Sequence, residues 1–303
     1  MDLMSIRPVR RVSTSQPTLE GAGVRLRRAF GFDKTEEFDP FLLLDDFRNE
    51  RPEDYIKGFP WHPHRGIETI TYVLAGSVSH GDSLGNKGNL GAGDVQWMTA
   101  GRGIMHQEMP KGDASGRMHG FQLWANLPAS LKMTAPRYQD VTSDAIPEVM
   151  EDDGTRARVI VGDFWGRRGP VEGIAADPRY LDISVPPGRR KHIPVEISRS
   201  AFAYVFEGSG TFRDASGPQA VMTERTDGSN MAALMDAGDR SLVLFDRGDE
   251  VVVQAGDKGI RFLLASGQPL QEPVAWYGPI VMNTEAELQQ AYDELRSGTF
   301  IKR

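Results

Sequence analysis

The sequence predicts an all-β protein made of two β-sandwiches or barrels in tandem. At 303 residues the chain is longer than a typical domain, so we expect two cores of roughly 130 to 150 residues each. Its 33 glycines and 19 prolines interrupt the sequence at short intervals, which is typical of β-proteins with many turns. The predicted strands are the alternating or β-branched runs between them, at residues 69–74, 95–98, 121–124, 158–161, 203–206, 241–245 and 251–254.

A polar stretch, PEVMEDDG at residues 147–154, interrupts the strand pattern and is the predicted linker. We therefore expect an N-terminal domain at residues 1–145 and a C-terminal domain at residues 146–303. The two halves share a short theme, YVLAG ending at Gly76 and YVFEG ending at Gly208. This is consistent with a duplicated fold.

One short helix is predicted near the C-terminus, at residues 285–296. Thr284 precedes it, and Glu287 follows three residues later, which is the pattern of a capping box. Leu288 and Leu295 recur at helical spacing, so this helix should pack against a barrel of the C-terminal domain.

Charge and composition exclude several classes of protein. The chain has 35 basic and 42 acidic residues, a net charge of −7, without long runs of one sign, which argues against a surface that binds nucleic-acid phosphates. It contains no stretch of about 20 apolar residues, and its N-terminus lacks the apolar core of a signal peptide. We expect a cytoplasmic protein with no membrane partner and no direct nucleic-acid partner. Because cysteine is absent, any bound metal must be held by nitrogen and oxygen atoms.

Two blocks of sequence carry residue types that bind metals. The first, GFPWHPHRGIETITYVLAG, places His62, His64 and Glu68 on one face if the segment is extended. The second, GDVQWMTAGRGIMHQEM, offers His106 and Glu108, again two residues apart. Imidazole and carboxylate ligands without thiolate suit iron(II), manganese, nickel, copper or zinc rather than calcium or magnesium. Such a site leaves coordination positions open to substrate, water or dioxygen.

A lone H-x-H pair also occurs as partly exposed surface histidines, so the metal-site interpretation rests on the coincidence of the two blocks. The other histidines are interpreted differently. His80 and His192 stand at polar turns and are expected to be structural. His119 lies on a predicted strand, where it either borders a cavity or packs in the core.

Five blocks of the sequence resemble the pirin family, whose members are double-cupin proteins. In chain order they are DPFLLLDDF, HPHRGIETITYVLAG, GDVQWMTAGRGIMHQEMP, FQLWANL and GPIVMNT. The resemblance implies two tandem cupin barrels of the jelly-roll type, an N-terminal one that binds metal and a C-terminal one that does not. In the second half, Pro194 and Glu196 fall near the places where the two histidines would stand. Residues 214–239 resemble a loop insertion of unknown role.

The family pattern also assigns roles to residues of the two blocks. It implies that His62, His64, His106 and Glu108 ligate the metal, with iron(II) first and manganese, nickel, copper, zinc or cobalt as alternatives. Glu68 stands where many other cupins have a carboxylate ligand, but pirins take theirs from the later H-x-E pair. Glu68 is therefore expected to orient a ligand histidine through a hydrogen bond.

Resemblance to pirins further implies quercetinase-type activity, in which dioxygen cleaves a flavonol-like aromatic substrate at the metal. Glu108 would act catalytically by taking the proton of the substrate hydroxyl. Family members are usually monomers, and we expect the same here. The candidates for the cavity wall, with ordinary core packing as the alternative, are Phe59, Trp61, Trp97, Met98, Phe121 and Trp124.

A second interpretation is a non-enzymatic, redox-sensing regulator that binds a transcription factor or a metabolic enzyme, as resemblance to other pirins implies. Its protein partner would contact a charged surface, for which the alternative is a solvated face held by salt bridges. That surface comprises Arg25, Arg27, Arg28, Asp45, Asp46 and Arg48. A purely structural metal is a third interpretation, less consistent with four mixed ligands.

Overall fold

A computed structural model describes residues 5–173, 175–212, 222–223 and 236–302. The chain forms two compact units. The first cupin unit is Gln16–Ala145 with Leu270–Arg303, and the second cupin unit is Met1–Ser15 with Ile146–Pro269. Most of the predicted insertion at residues 214–239 lies outside the described part of the chain.

Strands dominate both units, and every strand predicted from the sequence lies within an observed one. In chain order the strands are β1 Val9–Thr14, β2 Gln16–Glu20, β3 Val24–Phe30, β4 Phe41–Asp46, β5 Phe59–His64, β6 Ile67–Ala75, β7 Ser77–Asp82, β8 Lys87–Leu90, β9 Val95–Thr99, β10 Ile104–Lys111, β11 His119–Asn126, β12 Arg137–Val141, β13 Glu148–Met150, β14 Arg156–Val161, β15 Asp163–Phe164, β16 Arg167–Arg168, β17 Arg179–Val185, β18 Arg190–Pro194, β19 Ser200–Thr211, β20 Met222–Thr223, β21 Ala237–Gly238, β22 Ser241–Phe245, β23 Glu250–Gly267, β24 Ala275–Tyr277 and β25 Ile280–Met282. The α-helices are α1 Thr35–Phe38 and α2 Glu285–Ser297, and short 3-10 turns occur at Phe32–Lys34, Pro52–Asp54, Ala129–Leu131 and Ser143–Ala145.

Two antiparallel sheets form the body of the first cupin unit. The larger sheet has the strand order β12-β9-β6-β11-β4-β3-β2, and the smaller has the order β5-β10-β7-β8. Strand β6 is buried along nearly its whole length, as expected for a strand covered on both faces. Strand β10 alternates buried and half-buried residues, so one of its faces points inward, and this face carries His106 and Glu108.

The chain passes from the smaller sheet to the larger sheet at Gly66. Strand β5 pairs with β10, whereas β6 pairs with β9 and β11. Gly66 has a φ of +77°, and a Cβ at this position would lie 1.9 Å from the carbonyl oxygen of Val281, so glycine is required. The expectation that His62, His64 and Glu68 share one face of a single extended strand is therefore wrong, because the turn separates Glu68 from the histidine strand.

One large sheet dominates the second cupin unit. Its strand order is β13-β14-β17-β23-β19-β22-β1-β20, with β18 beside β23 and β21 beside β19. Strand β1 pairs antiparallel with β22, which explains why the N-terminal residues belong to this unit. Its core is apolar and includes the fully buried side chains of Leu181, Ala203, Val243, Val251 and Phe262.

The predicted fold class is confirmed: the chain is mainly β, with two cupin domains and one short C-terminal helix. Within the described residues no sheet closes on itself, so neither cupin is a closed barrel. None of the described helices is long and apolar enough to cross a membrane.

The termini group with the two units differently from the predicted division at residues 145 and 146. Residues 270–303, which include α2, belong to the first cupin unit, whereas the sequence assigned this helix to the C-terminal domain. The predicted linker at residues 147–154 contains a short edge strand, β13, which pairs with β14. Its polar composition reflects a strand with exposed residues at both ends.

Helix α2 begins with the predicted capping box. The Glu287 N–H donates to Thr284 Oγ1 at 3.3 Å, and the Thr284 N–H donates to a Glu287 carboxylate oxygen at 3.0 Å. Leu288 and Ala291 form the buried face of the helix. They pack in a small core with strands β24 and β25 and with Phe300.

We expect Thr284→Ala to lower the free energy of unfolding of the first cupin unit by about 1 kcal/mol, because the change removes the acceptor for the Glu287 N–H. Urea unfolding followed by tryptophan fluorescence measures this effect. The fluorescence reports mainly on the first cupin unit, since four of the five tryptophans lie in it: Trp61, Trp97, Trp124 and Trp276. Thr284→Ser keeps the oxygen and is the matched control. An unfolding curve of Thr284→Ala that matches wild type would contradict the role of the cap.

Candidate metal centre

Strands β5 and β10 bring three histidines together. The strands run antiparallel, and His106 of β10 lies directly opposite His62 of β5. His64 stands two residues after His62, so the two side chains extend from the same face of the strand. The ligand nitrogens of the three histidines lie within 4.8 Å of one another. In the described part of the chain, this is the one cluster of three or more such groups that could hold a metal ion.

Backbone carbonyls fix the orientation of two of these rings. The carbonyl oxygen of Pro60 lies 2.8 Å from His62 Nδ1, and that of Pro279 lies 3.2 Å from His64 Nδ1. A carbonyl oxygen can only accept a hydrogen bond, so each Nδ1 carries the hydrogen of its ring. In a neutral imidazole, the Nε2 atom then holds a lone pair.

The Nε2 atoms of His62 and His64 face each other across 3.1 Å. With the hydrogens on Nδ1, neither atom can donate, so the contact is repulsive unless a cation lies between them. Two nitrogens that each lie about 2.1 Å from a metal ion, 90° apart, would be separated by about 3.0 Å. The observed spacing therefore fits two adjacent ligands of one metal ion.

His106 supplies the third nitrogen. Both of its ring nitrogens are buried, and neither has a hydrogen-bond partner within the described protein, although buried polar groups are rarely left unpaired. Its ring centroid lies 4.3 Å from that of His62 and 4.9 Å from that of His64. A metal ion held among the three rings would satisfy this imidazole.

Burial keeps the three imidazoles neutral. It lowers the pKa of His62, and it lowers the pKa values of His64 and His106 well below the usual range, with smaller contributions from the neighbouring histidines. Neutral imidazole is the form that ligates metals. The three side chains are therefore in their metal-binding protonation state at neutral pH.

Glu108, the fourth predicted ligand, is buried on the same face of β10 as His106 but is not part of the histidine cluster. Thr71 Oγ1 donates to its carboxylate at 2.9 Å, and Gln122 Nε2 lies 3.4 Å from both carboxylate oxygens. Burial raises the pKa of Glu108 to about 6, against the opposing effect of the Thr71 hydrogen bond. The sequence does not show that Thr71 and Gln122 contact Glu108, because they lie on β6 and β11 of the larger sheet, whereas Glu108 lies on β10 of the smaller sheet. Ligation by Glu108 stays a prediction.

Glu68 is held by strand β9. Thr99 Oγ1 donates to its carboxylate at 2.7 Å, and burial raises the pKa of Glu68 to about 7 despite this hydrogen bond. The structure thus gives Glu68 a partner other than the ligand histidine that the sequence suggested. The carboxyl group thus links the side chains of β6 and β9.

A cavity of about 590 Å³ opens onto His62, His64 and Glu108. Three of the six predicted wall residues line it, Phe59, Trp61 and Trp124. The other three are completely buried core residues: Trp97, Met98 and Phe121. Wall residues that the sequence did not single out include Leu26, Phe32, Leu43, Phe47, Trp276 and Pro279.

Aromatic contacts run from the histidine cluster to the rim of this cavity. Trp124 meets the His64 ring edge-on, with centroids 5.0 Å apart. Phe32 contacts Trp124 at 5.9 Å and stacks on Trp276 at 4.2 Å. Trp276 and Trp61 are 44% and 52% exposed. The opening is therefore bordered by flat, apolar surfaces.

Five of the six charged residues considered as a partner surface form ion pairs: Arg25, Arg28, Asp45, Asp46 and Arg48. Arg28 donates twice to the Asp45 carboxylate, at 2.8 Å each, and also contacts Glu20 at 2.8 Å. Arg48 pairs with Asp46 at 3.2 Å. Asp45 and Asp46 are buried, and Arg28 and Asp45 line the cavity. The salt-bridge interpretation describes these residues better than an open docking face.

The remaining histidines are not part of the cluster, although His80 of β7 lies directly opposite Glu108 of β10. His80 differs from the polar-turn expectation, because its side chain is buried in β7 with Nε2 3.2 Å from Asp140. His192 is half-exposed, and its Nδ1 lies 3.0 Å from the Glu250 carboxylate. His119 does not line the cavity.

Comparisons with known proteins agree with this arrangement. A family model described as Pirin matches residues 23–125, and one described as Pirin C-terminal cupin domain matches residues 180–301. A pirin-like protein of Caulobacter vibrioides is 45% identical over 298 residues, covering 98% of this chain and 100% of that protein. A crystal structure of quercetin 2,3-dioxygenase from Acinetobacter baumannii has a TM-score of 0.84 at 29% identity, covering 98% of this chain and 99% of that chain. A bacterial pirin from Escherichia coli in complex with nickel(II) shares the fold, with a TM-score of 0.63 at 20% identity and coverage of 87% and 100%.

We expect Glu108→Gln to lower the affinity for nickel(II) or iron(II) by at least about tenfold, because an amide is a weaker ligand and carries no charge. Titration against a chromophoric chelator measures this affinity. Glu68→Gln changes another buried carboxyl of the same unit and should bind metal like wild type. Equal affinities for all three proteins would remove Glu108 from the ligand set.

The metal affinity of the wild type should fall as the pH drops below about 6. Burial raises the pKa of Glu108 to about 6, so below this pH a proton competes with the metal for the carboxylate, and above it the affinity should level off. The histidines stay neutral in this range because burial lowers their pKa values. Chelator titrations at several pH values measure the step, which should be missing in Glu108→Gln. A step of equal size in that variant would assign it to another group.

Proposed function

The chain belongs to the pirin family, and on this premise we propose that it is a metal-dependent dioxygenase that cleaves a flavonol-like aromatic substrate with dioxygen. His62, His64 and His106 hold the metal, for which we propose iron(II), and Glu108 is the fourth ligand and the catalytic base. The observation that carries the proposal is that His62 Nε2 and His64 Nε2, each with a free lone pair, lie 3.1 Å apart on the wall of an aromatic cavity.

The donor set supports a transition metal of intermediate softness. Three imidazoles and one carboxylate, without thiolate, favour such an ion over calcium or magnesium. Four protein ligands leave positions open in an octahedral ion. When bound, the ion supplies a Lewis acid and a redox-active centre with room for ligands from solution.

The cavity supports a planar aromatic substrate. Its volume of about 590 Å³ lies in the usual range for small-molecule sites, about 300 to 1,000 Å³. Trp61, Trp124 and Phe32 offer flat faces and edges along its wall, which suit stacking with a polyphenol. The 29% identical quercetin 2,3-dioxygenase structure supports the same class of substrate.

Glu108 is placed to manage the proton of the substrate hydroxyl. Its carboxylate lines the cavity and is held by Thr71 and Gln122. A pKa of about 6 leaves it ionised at neutral pH and still basic enough to accept a proton. As a detached ligand it would take that proton directly, and otherwise through a nearby water molecule. The apolar wall around it limits the access of bulk water.

A regulatory role draws less support from the site. The residues proposed for a partner surface are largely occupied with one another, and Arg28 and Asp45 face the cavity. The site therefore favours a dioxygenase over a redox-sensing regulator.

Anaerobic reconstitution with iron(II), followed by quercetin and dioxygen, tests the proposal. Wild type should consume the flavonol, seen as a metal-dependent loss of its visible absorbance. His64→Ala removes one ligand and should slow this loss by about a hundredfold or more. His192→Ala also exchanges a histidine for alanine, at a half-exposed position outside the site, and should react like wild type.

Two other outcomes would contradict the proposal at different levels. Stoichiometric iron binding without turnover would overturn the dioxygenase and favour the redox-sensing regulator. Failure of wild type to bind any divalent metal would overturn the metal centre itself.

A further inference from the structure

The last part of the sequence contacts the histidine strand of the first cupin unit. We propose that residues 275–300 are a positioning element of the metal centre: the Pro279 carbonyl sets the tautomer of His64, and helix α2 holds that carbonyl in place through Arg65. The inference rests on the proposed metal site, but its test requires no catalysis.

The direct contact is the hydrogen bond from His64 Nδ1 to the Pro279 carbonyl oxygen, at 3.2 Å. Since the hydrogen is on Nδ1, the lone pair of Nε2 faces the other histidines. In the other tautomer Nε2 would carry the hydrogen and could not ligate a metal. The hydrogen-bond partner of a ligand histidine therefore decides whether the ring is ready to bind.

Arg65, the residue after His64, ties the histidine strand to helix α2. Its side chain is 1% exposed and donates to the Glu294 carboxylate at 2.7 Å and to the Phe300 carbonyl oxygen at 3.1 Å. The guanidinium also lies 4.2 Å from the centroid of the Phe300 ring. Removing one partner of such a buried pair leaves an uncompensated charge, so the contact is costly to break.

One backbone hydrogen bond and two bonds from the Lys132 side chain complete the attachment. The Val281 N–H donates to the Arg65 carbonyl oxygen at 3.0 Å. Lys132 Nζ donates to the carbonyl oxygens of Gly66, at 2.8 Å, and of Val281, at 3.1 Å. His64 and Arg65 are thus bonded directly to the C-terminal segment, and Gly66 is joined to it through Lys132. Pro279 cannot move away from His64 unless several of these bonds break.

The other two histidines provide an internal comparison. His62 Nδ1 faces the Pro60 carbonyl, within its own strand β5, so its tautomer is independent of the C-terminal segment. His106 has no hydrogen-bond partner on either nitrogen within the described protein. Among the three rings, only His64 should respond when the segment is loosened.

Glu294→Gln tests the inference, because it removes the charge that pairs with Arg65 and keeps the shape of the side chain. Asp293→Asn is the matched control on the same helix, since Asp293 pairs with the exposed Arg296. Long-range ¹H–¹⁵N NMR spectra of the metal-free proteins report which ring nitrogen carries the hydrogen. His64 should be the Nδ1–H tautomer in wild type and Asp293→Asn, and a mixture of tautomers in Glu294→Gln. His62 should be the same in all three.

Metal affinity gives a second, independent measurement. Nickel(II) titrated against a chelator should bind Glu294→Gln about tenfold more weakly than wild type, as expected when the support of a ligand histidine is weakened. Asp293→Asn should bind like wild type. A loss of helix stability alone would lower the unfolding midpoint without moving the His62 and His64 signals apart.

A folded Glu294→Gln protein with His64 fixed as the Nδ1–H tautomer and unchanged nickel(II) affinity would overturn the inference. If Glu294→Gln does not fold, Pro279→Gly carries the test with the same two measurements, because it loosens the backbone at the carbonyl and leaves the Arg65 pair in place. Absence of quercetin turnover in wild type would count against the proposed dioxygenase alone, since neither measurement uses the substrate.

Discussion

Two imidazole nitrogens without hydrogens, His62 Nε2 and His64 Nε2, are held 3.1 Å apart. Left free, the rings would rotate or change tautomer to avoid this contact. They cannot do so here, because each ring already donates from its other nitrogen to a backbone carbonyl, of Pro60 in one case and Pro279 in the other. The backbone thus stores an arrangement that becomes favourable only when a cation is bound. Strand β5 supplies the Pro60 carbonyl, and the segment before α2 supplies the Pro279 carbonyl.

Burial shifts the pKa of the acid and the pKa values of the bases in this site in opposite directions. Both shifts favour the uncharged forms. Burial lowers the pKa values of the histidines and raises that of Glu108 to about 6. Without metal, the site is therefore close to uncharged at pH values below about 6, which limits the cost of burying its polar groups. A divalent ion brings positive charge that favours the ionised carboxylate. The same apolar walls that perturb these groups also form the surface that we propose for an aromatic substrate.

The sequence predicted those parts of the site that depend on local periodicity. His62 and His64, and likewise His106 and Glu108, are two residues apart on strands, so each pair shares a face. Glu68 broke this rule because the turn at Gly66 changes the direction of the chain. Trp97 lies on β9 and Trp124 on β11, two strands of the same sheet. No local sequence pattern shows that Trp97 is buried in the core whereas Trp124 lines the cavity. For the same reason, local patterns could not predict that a residue of a distant segment, such as Trp276, lines the cavity.

The Pro279 carbonyl is the contribution that sequence analysis could least have found, since a backbone oxygen has no residue type and acts 215 positions away from His64. Distance along the chain is a small obstacle, because the entropy cost of closing a loop grows only with the logarithm of its length. The dependence of the site on this distant carbonyl matters more for the order in which the unit assembles. Residues 16–145 alone would contain the three histidines, yet His64 would lack its acceptor and Arg65 would lose the carboxylate that compensates its charge. The metal-binding geometry is therefore a property of the complete first cupin unit, and it exists only after the end of the chain has joined the strands made first.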